Sequence, residues 1–533
     1  MILNSPFPDI EVPRTSLTQF VLGDVSADRD AIALIDGATG RTMTYGGLAD
    51  RTHEIAQALA AHGVSVGDVA AIHLPNCPEY AVLFHGIVSA GAAVTPVNHL
   101  HTSEETAHQL RDSRARILFT WPDGLETARE AIRSPGVRAS MIVVVGERAV
   151  GSTGGTTGWS RPGEIGLDAF TGTGRNLPLP ALGAENLAAL PYSSGTTGVP
   201  KGVMLSHRNL IANVLQNRPL SRIGRGSVTL AALPLSHIYG VTGILNLALH
   251  HRATVVTLPR FDLASYLETV QKHQVDHLFV APPLALTLAK HPLVDSYDLG
   301  SVELITSAAA PLGRELAQDV ADRLACGVTQ AYGLTEASPA THCIPHDRPD
   351  IDKGSIGVLL PNVQARVVDP VTGRDTVPGE AGELWCRGPN VMLGYFDNPA
   401  ATAATVDADG FLRTGDLVTV TDEGVFTVVG RLKELIKYKG HQVAPAELEA
   451  VVLSHPGIRD AAVVGALDAN GEEIPKAFVV PEPGTVPDAS DVLAFVADRV
   501  APYKKIRALE YVDTIPKSPA GKILRQQLHG LRA

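Results

Sequence analysis

The stretch AALPYSSGTTGVPKG at residues 188–202 joins an apolar strand to a loop rich in glycine and hydroxyl groups. The hydroxyl groups of the loop belong to Ser193, Ser194, Thr196 and Thr197. Together with open backbone N–H groups they can surround a polyphosphate, and Lys201 adds a positive charge. A Walker A loop needs G-x-x-x-x-G-K-[ST], but here Pro200 precedes the lysine and Gly202 follows it. The stretch therefore predicts a phosphate-binding loop of another kind.

Apolar, β-branched runs alternate with helical patterns on both sides of this loop. The runs are VAAIHL (69–74), ARILFT (115–120), ASMIVVV (139–145), ATVVTL (253–258), DHLFVA (276–281) and VELITS (302–307). Such runs indicate parallel sheets covered on both faces by helices. After about residue 355, alternating strands separated by turn residues predict antiparallel, barrel-like structure. The predicted fold class is α/β and multi-domain, with two layered α/β subdomains, a β-barrel-like subdomain and a small α+β domain.

Charge divides the chain in the same way. Residues 431–533 hold 14 basic and 13 acidic side chains, a net charge of +1, and residues 1–430 hold 30 and 43, a net charge of -13. We therefore place a domain boundary between Gly430 and Lys433, with a body at 1–430 and a mobile cap at 431–533. The total of -12 argues against a protein that coats nucleic acid or anionic membrane. Small molecules are the expected partners.

Cysteine usage and the amino-terminal segment indicate a cytoplasmic protein. Four cysteines lie far apart, so neither a disulfide framework nor a zinc site is predicted. The first residues carry prolines and acidic groups where a secretory signal needs a basic and then an apolar segment. The apolar run from Tyr80 to Val97 contains glycine, histidine and proline, and it predicts a buried helix and a strand rather than a membrane span. Whether the protein is a monomer or a homodimer stays open.

Five motifs occur in an order that resembles the adenylate-forming superfamily, which includes acyl-CoA synthetases, luciferases and the adenylation domains of peptide synthetases. They are YSSGTTGVPKGVMLSHRNL (192–210), QAYGLTEASP (330–339), RTGDLV (413–418), GRLKELIKYKGHQVAPAELE (430–449) and PKSPAGKILRQQL (516–528). Within the superfamily, LPLSHIYG (233–240) is most similar to 4-coumarate:CoA ligases and their bacterial relatives. The resemblance implies an ATP-dependent, AMP-forming acid–thiol ligase with ATP, Mg²⁺ and coenzyme A as cofactor and co-substrates.

The resemblance also implies a nucleotide site. Its residues would be Ser193, Ser194, Gly195, Thr196, Thr197, Lys201, Ala309, Gln330, Ala331, Tyr332, Thr335, Asp416, Arg431, Lys433, Lys437, Gln442 and Lys522. Glu336 would bind Mg²⁺, and Thr335 would contact the α-phosphate. Asp416 would accept from the ribose hydroxyls with support from Arg431, and Lys522 would reach the α-phosphate and the substrate carboxylate. Outside the motifs, Thr335 and Glu336 could simply cap a helix, and Lys522 could be a solvated charge.

An acyl pocket and a coenzyme A channel complete the implied site. The pocket residues would be His237, Tyr239, Gly243, Ser307, Ala308, Ala309 and Gly333. His237 would orient the substrate carboxylate, so the catalytic set is His237, Thr335, Glu336 and Lys522. Coenzyme A would meet Arg260, Lys439 and Gly440 after the cap turns about a hinge at Lys433.

Small side chains in SAAAP (307–311) and at Gly333 favour a planar ring or a slender chain. The pocket segments hold no acidic group for an α-ammonium, which argues against an amino acid. We expect an aryl-propenoate such as 4-coumarate or cinnamate. A medium-chain fatty acid, an aryl acid loaded onto a carrier protein, a luciferase-like oxygenase and a non-catalytic nucleotide-binding protein stay as alternatives. Ser236, Ala331 and Gly243 depart from the plant pattern, and they leave the ring substituents open.

Overall fold

A computed structural model describes residues 1–146, 162–173, 177–193, 200–439, 441–468, 472–518 and 521–530. Two large sheets with parallel centres form the body, an antiparallel sheet packs beside them, and a small α+β unit follows. The predicted fold class is confirmed. None of the described helices is long and apolar enough to cross a bilayer.

The first large sheet is built around the fully buried strand β4, which carries the run VAAIH. Across the sheet the strands are β10 (Tyr192–Ser193), β11 (Lys201–Ser206), β9 (Leu187–Ala189), β5 (Ala93–Pro96), β4 (Val69–His73), β6 (Ile117–Thr120), β7 (Met141–Val144) and β8 (Glu164–Gly166), and β21 (Gly394–Tyr395) pairs with β11. From β9 to β8 the pairs are parallel, and those of β11 are antiparallel. Its helices are α2 (Tyr45–Ala61), α3 (Pro78–Ser89), α4 (Ser103–Ser113), α5 (Leu125–Arg133), α6 (Leu167–Thr171) and α7 (His207–Gln216). Since α3 is buried except at Ser89 and β5 is buried throughout, the prediction for Tyr80–Val97 is confirmed.

The second large sheet has six parallel strands at its centre and antiparallel edges. Across it the strands are β18 (Val358–Leu359), β17 (Ala340–Cys343), β16 (Gly327–Gly333), β15 (Leu304–Ser307), β14 (His277–Val280), β12 (Val228–Ala231), β13 (Thr254–Thr257), β2 (Ile32–Asp36) and β3 (Thr42–Thr44). The helices in this part of the chain are α1 (Leu17–Leu22), a π-helix (Tyr239–Asn246), α8 (Leu247–His250), α9 (Leu263–His273), α10 (Pro282–Lys290) and α11 (Arg314–Leu324).

An antiparallel half-barrel follows where the alternating pattern predicts it. Its strands are β1 (Leu3–Asn4), β19 (Gln364–Val368), β20 (Gly382–Arg387), β22 (Leu412–Val420) and β23 (Phe426–Arg431), and α12 (Pro399–Thr405) lies before β22. Along β20, buried and partly exposed residues alternate, as expected for a strand with one face on the core. The four cysteines are free, and Cys343 and Cys386 are buried in this region.

The carboxyl-terminal unit combines a hairpin with a three-stranded sheet. Its elements are β24 (Ile436–Tyr438), β25 (His441–Val443), α13 (Pro445–Leu453), β26 (Ile458–Leu467), β27 (Glu473–Pro481), α14 (Ala489–Ala497), β28 (Ala508–Tyr511) and α15 (Arg525–Gly530). Short 3-10 helices across the chain are Ser26–Asp28, Pro122–Gly124, Arg218–Leu220, Pro292–Ser296, Thr335–Ala337, Leu432–Glu434 and Pro502–Lys504.

Two buried amide side chains, one turn apart on α7, join the three sheets of the body. Asn209 donates to the carbonyls of Pro389 and Val391, at 2.8 Å each, in the segment that follows β20 of the half-barrel. Asn213 donates to the carbonyl of Ala340 at 2.8 Å and accepts from its N–H at 3.1 Å, at the start of β17. Because residues four apart lie on one helical face, α7 holds both segments against the first sheet.

Replacing Asn213 with alanine should destabilise the body, because the wholly buried N–H of Ala340 loses its acceptor. The carbonyl of Ala340 keeps a second donor, Asn390 at 2.9 Å, but Oε1 of the buried Gln216 also loses its donor, Asn213 at 3.2 Å. These two unpaired groups account for most of a cost of about 1–3 kcal/mol. A lower apparent Tm in differential scanning fluorimetry checks this. Gln318→Ala, on the exposed face of α11, is the matched control and should leave Tm nearly unchanged. Equal apparent Tm values for the two variants would contradict the stabilising role of Asn213.

Candidate active site

Several of the predicted site residues lie at the carboxyl edge of the second sheet. Ser307 ends β15 and Gly333 ends β16, and these two parallel strands are neighbours. In open α/β sheets, ligands bind outside the carboxyl ends of the strands. The half-barrel and the carboxyl-terminal unit close this edge from two other sides.

A buried carboxylate, Asp416, joins the second sheet to the half-barrel. Asp416 is 4 % exposed, and its Oδ1 accepts from Nε of Arg431 at 2.6 Å. The hydroxyl of Tyr332, at the end of β16, donates to Oδ2 at 2.6 Å. Each carboxylate oxygen can accept more than one hydrogen bond, so acceptor capacity remains for the two ribose hydroxyls that the sequence assigns to Asp416.

Both partners of Asp416 stay protonated. Burial raises the pKa of the Tyr332 phenol well above its ordinary value, and the neighbouring Asp416 carboxylate adds to this. Burial of Arg431 lowers its pKa, but the attraction of Asp416 outweighs burial and the net pKa is raised. Asp416 therefore faces two permanent donors, which fix its orientation.

Glu336 lies inside the 3-10 helix Thr335–Ala337 and is 7 % exposed. Ser193, the last described residue before the phosphate loop, donates its hydroxyl to Oε1 of Glu336 at 2.8 Å. Neither Thr335 nor Glu336 caps the turn, because Leu334 occupies the N-cap position without a side-chain hydrogen bond. The capping alternative for these two residues is therefore wrong, and their side chains need another explanation.

The donor set at Glu336 fits a magnesium ion. Its carboxylate is a hard oxygen ligand, and no described residue donates to Oε2. Among the described residues there is no cluster of three metal-ligating side chains. Magnesium does not require one, since it is commonly held by one or two carboxylates together with substrate phosphates.

The phosphate loop itself lies largely outside the described residues. Ser193 and Lys201 stand opposite each other in the β10–β11 pair and mark its two ends. The remaining predicted members fall in the gap, and they are Ser194, Gly195, Thr196 and Thr197.

The structure gives local roles to three other residues predicted for the site. The amide of Gln330 donates to the carbonyl of Leu312 and accepts from its N–H, at 3.0 Å each, so it holds the chain after β15. A Cβ on Gly333 would lie 2.0 Å from the carbonyl oxygen of Pro339, so only glycine fits there. Ala331 lies between them on β16 and is partly buried.

Tyr239 and Gly243 sit one above the other in the π-helix. The hydroxyl of Tyr239 donates to the carbonyl of Thr306 at 3.1 Å, and its ring meets Phe279 edge-on at 6.0 Å between centroids. A Cβ on Gly243 would approach the Tyr239 ring to 2.9 Å. The glycine therefore leaves room for this ring. π-Turns inside helices are frequent at functional sites.

The segment SAAAP makes a tight turn at the end of β15. Ser307 is wholly buried, and its hydroxyl has no hydrogen-bond partner among the described residues. Ala308 is 9 % exposed, whereas Ala309 is exposed and has a left-handed φ of 77°. Left-handed conformations are uncommon for residues other than glycine and concentrate at functional sites.

Lys522 reaches the body on a tight loop of the carboxyl-terminal unit. Its N–H donates to Oγ of Ser518 at 3.2 Å, and its carbonyl accepts from the Ser518 N–H at 2.8 Å. A Cβ on Gly521 would lie 3.2 Å from side-chain atoms of Ala281 and Pro283, so this loop touches the start of α10.

In this position the Lys522 charge affects, and is affected by, the ionisable groups of the predicted site. Burial lowers its pKa, and the nearby Arg431 lowers it further, whereas Glu434 and Asp416 oppose the shift. His237, on the turn before the π-helix, opens to the cleft but is otherwise surrounded by protein. Burial lowers the pKa of His237, and the Lys522 ammonium adds to the effect. Lys522 thus lies within electrostatic reach of His237 and of the Asp416–Arg431 pair.

The remaining predicted residues are exposed or undescribed. Arg260 is exposed beyond β13, and Lys433, Lys437 and Lys439 are exposed along the segment after β23. The Lys439 ammonium lies 5.5 Å from the centre of the Tyr438 ring. Gly440 and the side chain of Gln442 lie outside the described residues.

Sequence reasoning missed Asn76, which holds the turn before His237. Its amide donates to the carbonyls of Ala231 and Leu233, and its Oδ1 accepts from the N–H of Leu235, at 2.8 Å each. Sequence reasoning also missed Tyr395, which donates its hydroxyl to Glu336 at 2.8 Å. Neither residue lies in one of the five motifs, so the sequence carried no signal for them.

Comparison with known families agrees with this geometry. The model of the family described as AMP-binding enzyme matches residues 24–396, and that of the AMP-binding enzyme C-terminal domain matches residues 447–522. The chain belongs to the AMP-binding enzyme family. The resemblance to adenylate-forming enzymes is therefore confirmed.

Named relatives of this AMP-binding enzyme cover nearly its whole length. It is 41 % identical to 4-coumarate--CoA ligase-like 9 of Oryza sativa subsp. japonica, over 99 % of this chain and 95 % of the relative. It is 36 % identical to 4-coumarate--CoA ligase 1 of Petroselinum crispum, over 99 % of this chain and 96 % of the relative.

Solved structures share the fold. ATP-bound MatB from Rhodopseudomonas palustris superposes with a TM-score of 0.86 at 28 % identity, covering 97 % of this chain and 99 % of the other. A benzoate CoA ligase from Burkholderia xenovorans LB400 gives a TM-score of 0.85 at 25 % identity, covering 96 % and 99 %.

The pKa of His237 should lie below the ordinary histidine value of about 6.5, so that the ring is neutral at pH 7. Since the Lys522 ammonium disfavours a second positive charge, Lys522→Gln should raise this pKa toward the ordinary value. Histidine NMR titration, assigned with His237→Asn, measures both. Lys517→Gln is the control, because Lys517 pairs with Asp460 at 2.6 Å within the carboxyl-terminal unit. A His237 pKa that is the same with and without the Lys522 charge would contradict the arrangement.

Proposed function

We propose that this AMP-binding enzyme is an ATP-dependent, AMP-forming carboxylate:CoA ligase that acts on an aryl-propenoate such as 4-coumarate or cinnamate. The observation that carries the proposal is the Gly521–Lys522 loop, which touches the start of α10 and places the lysine within electrostatic reach of His237 and of the Asp416–Arg431 pair. The names of the curated relatives support the acid and the thiol acceptor.

In the first half-reaction an oxygen of the substrate carboxylate attacks the α-phosphorus of ATP. The bond from that phosphorus to the bridging oxygen of the β-phosphate breaks, and pyrophosphate leaves. Lys522 neutralises charge on the α-phosphate and the carboxylate, and Thr335 contacts the α-phosphate. His237, neutral because its pKa is lowered, orients the carboxylate without forming an ion pair that would weaken its nucleophilicity.

Nucleotide binding divides among three parts of the body. Asp416 takes the ribose hydroxyls, and Arg431 keeps that carboxylate in place. The predicted loop from Ser193 through Lys201 takes the β- and γ-phosphates. Glu336 would hold Mg²⁺, which would supply positive charge to offset that of the phosphates.

The second half-reaction requires room beside His237. The Gly521–Lys522 loop closes this side of the cleft, so the thiol of coenzyme A can approach only after that loop withdraws. The part of the cap (431–533) that follows the hinge at Lys433 turns against the body at 1–430, while Arg431 stays paired with Asp416. Arg260, Lys439 and Gly440 then bind coenzyme A. The thiol loses its proton, sulfur bonds to the acyl carbon, and AMP leaves with the electron pair of the acyl–oxygen bond.

The shape of the predicted acyl pocket supports an aromatic acid. Tyr239 and Phe279 meet edge-on, an arrangement that extends readily to a third ring. Ala308 and Ala309, which follow β15, present only methyl groups. The hydroxyl of Ser307 is the one polar side-chain group on the described SAAAP segment.

A substrate panel tests this function. We expect CoA-dependent AMP release with 4-coumarate and cinnamate at higher kcat/KM than with benzoate or C6 to C12 fatty acids. Preference for a fatty acid would overturn the aryl assignment. Acyl transfer only to a phosphopantetheinylated carrier protein would overturn the coenzyme A assignment.

Lys522→Ala should slow acyl-AMP formation by about 100- to 1000-fold, because it removes a charge placed on the reacting phosphate. Thioester formation from supplied acyl-AMP should be nearly unchanged, since Lys522 has then withdrawn. Lys439→Ala should show the reverse pattern. Pyrophosphate release and thioester formation, measured separately, check both variants. Equal loss of the two half-reactions in either variant would contradict the two poses.

A further inference from the structure

Two opposite charges of the predicted phosphate site share one tyrosine. The Lys201 ammonium lies 4.6 Å from the centre of the Tyr395 ring, a cation–π distance. The hydroxyl of the same tyrosine donates to Oε1 of Glu336 at 2.8 Å. The ring face of Tyr395 therefore contacts a cation, and its hydroxyl contacts an anion.

Tyr395 is held in place by its backbone. It lies on β21, opposite Val203 in the pair with β11, the strand that begins at Lys201. Its N–H donates to Oγ1 of Thr402 at 2.9 Å, and the next residue, Phe396, donates its N–H to the carbonyl of Gly202 at 2.8 Å. At 5 % exposure its ring is packed and cannot swing away.

Without this ring, Lys201 and Glu336 would be free to pair with each other. Opposite charges in a partly buried site attract strongly, and no ion pair between these two described residues is present. A direct pair would cancel the cation that the phosphates need and the carboxylate that Mg²⁺ needs. Any incoming nucleotide would first have to break that pair.

We propose that Tyr395 is a positioning residue that keeps Lys201 and Glu336 apart, so that each meets its own part of Mg·ATP. The ring face holds the ammonium, and the hydroxyl holds the carboxylate. This inference rests on the proposed function, because it takes the phosphate and magnesium roles of these two side chains from there.

A second hydroxyl completes the arrangement around Glu336. Ser193 donates to the same oxygen, Oε1, at 2.8 Å. Two donors on one oxygen fix the carboxylate plane and leave Oε2 without a donor among the described residues. A carboxylate fixed in this way needs little reorganisation when it takes up a cation, which is how preorganisation raises affinity.

Two variants separate the two ends of the tyrosine. Tyr395→Phe keeps the ring for Lys201 and removes only the hydroxyl. Tyr395→Leu removes the aromatic face as well. The dissociation constant of ATP is measured by isothermal titration calorimetry on the full-length protein, first without Mg²⁺ and then across a Mg²⁺ titration.

For Tyr395→Phe we expect the Mg²⁺ concentration at half-saturation to rise about 3- to 10-fold, the value of one lost hydrogen bond. Its dissociation constant for Mg²⁺-free ATP should stay as in the wild type. For Tyr395→Leu we expect the dissociation constant for Mg²⁺-free ATP to rise as well, by about 3- to 30-fold. Wild-type affinity for Mg²⁺-free ATP in Tyr395→Leu would overturn the proposal, and so would equal effects of the two variants.

Tyr192→Phe is the matched control. Tyr192 also lies beside β11, and its phenol donates to a carboxylate, Asp112 on α4, at 2.5 Å. Its loss should leave both constants unchanged. Should Tyr395→Leu not fold, Tyr395→Phe decides alone, and an unchanged Mg²⁺ requirement then overturns the proposal. Failure of the wild type to bind ATP would overturn the proposed function instead, so the two failures can be told apart.

Discussion

The buried carboxylate of Asp416 is the constraint on which the arrangement of the site depends. An unpaired charge at 4 % exposure would be very costly, and here two donors, one at the end of β16 and one at the end of β23, compensate it. Tyr332 comes from the end of β16, and Arg431 from the end of β23, so the carboxylate fixes the half-barrel against the second sheet. Because Leu432 begins the next 3-10 helix, the same interaction also fixes the point from which the carboxyl-terminal unit departs.

The amides of α7 provide the complementary constraint inside the body. Beyond Asn209 and Asn213, Gln216 donates to the carbonyl of Pro361 at 2.8 Å, so one helical face holds three separate chain segments. α7 directly follows β11, whose first residue is Lys201. The end of the phosphate loop and the Glu336 turn are therefore positioned by neighbouring parts of one rigid unit, and the distance between their charges is set by the fold rather than by the loop.

Local pattern was enough to predict both large sheets, the half-barrel and the α+β unit, because strand period and turn residues are short-range signals. Motifs also located Asp416, Arg431, Glu336 and Lys522. Tyr395 and Asn76 were not predicted. Glu336, which accepts from Tyr395, lies 59 residues away in sequence, and the partners of Asn76 lie up to 159 residues away, so only the folded chain brings them together. The motifs also did not predict the hydrogen bonds that the Gln330 amide makes with Leu312, 18 residues away, and the nucleotide role of Gln330 stays a prediction.

The charges around Lys522 suggest why a nucleotide would favour the observed pose. Burial and the positive charge of Arg431 both disfavour the charged form of Lys522. The two nearby carboxylates already have partners, because Asp416 accepts from Arg431 and Glu434 pairs with Arg525 at 3.0 Å. An anionic phosphate between Lys522 and Arg431 would relieve their repulsion. Once pyrophosphate has left and the substrate carboxylate has lost its charge in the acyl-AMP anhydride, that relief weakens. The same electrostatics that draw the lysine in before adenylation would therefore ease its withdrawal afterwards, without any separate trigger.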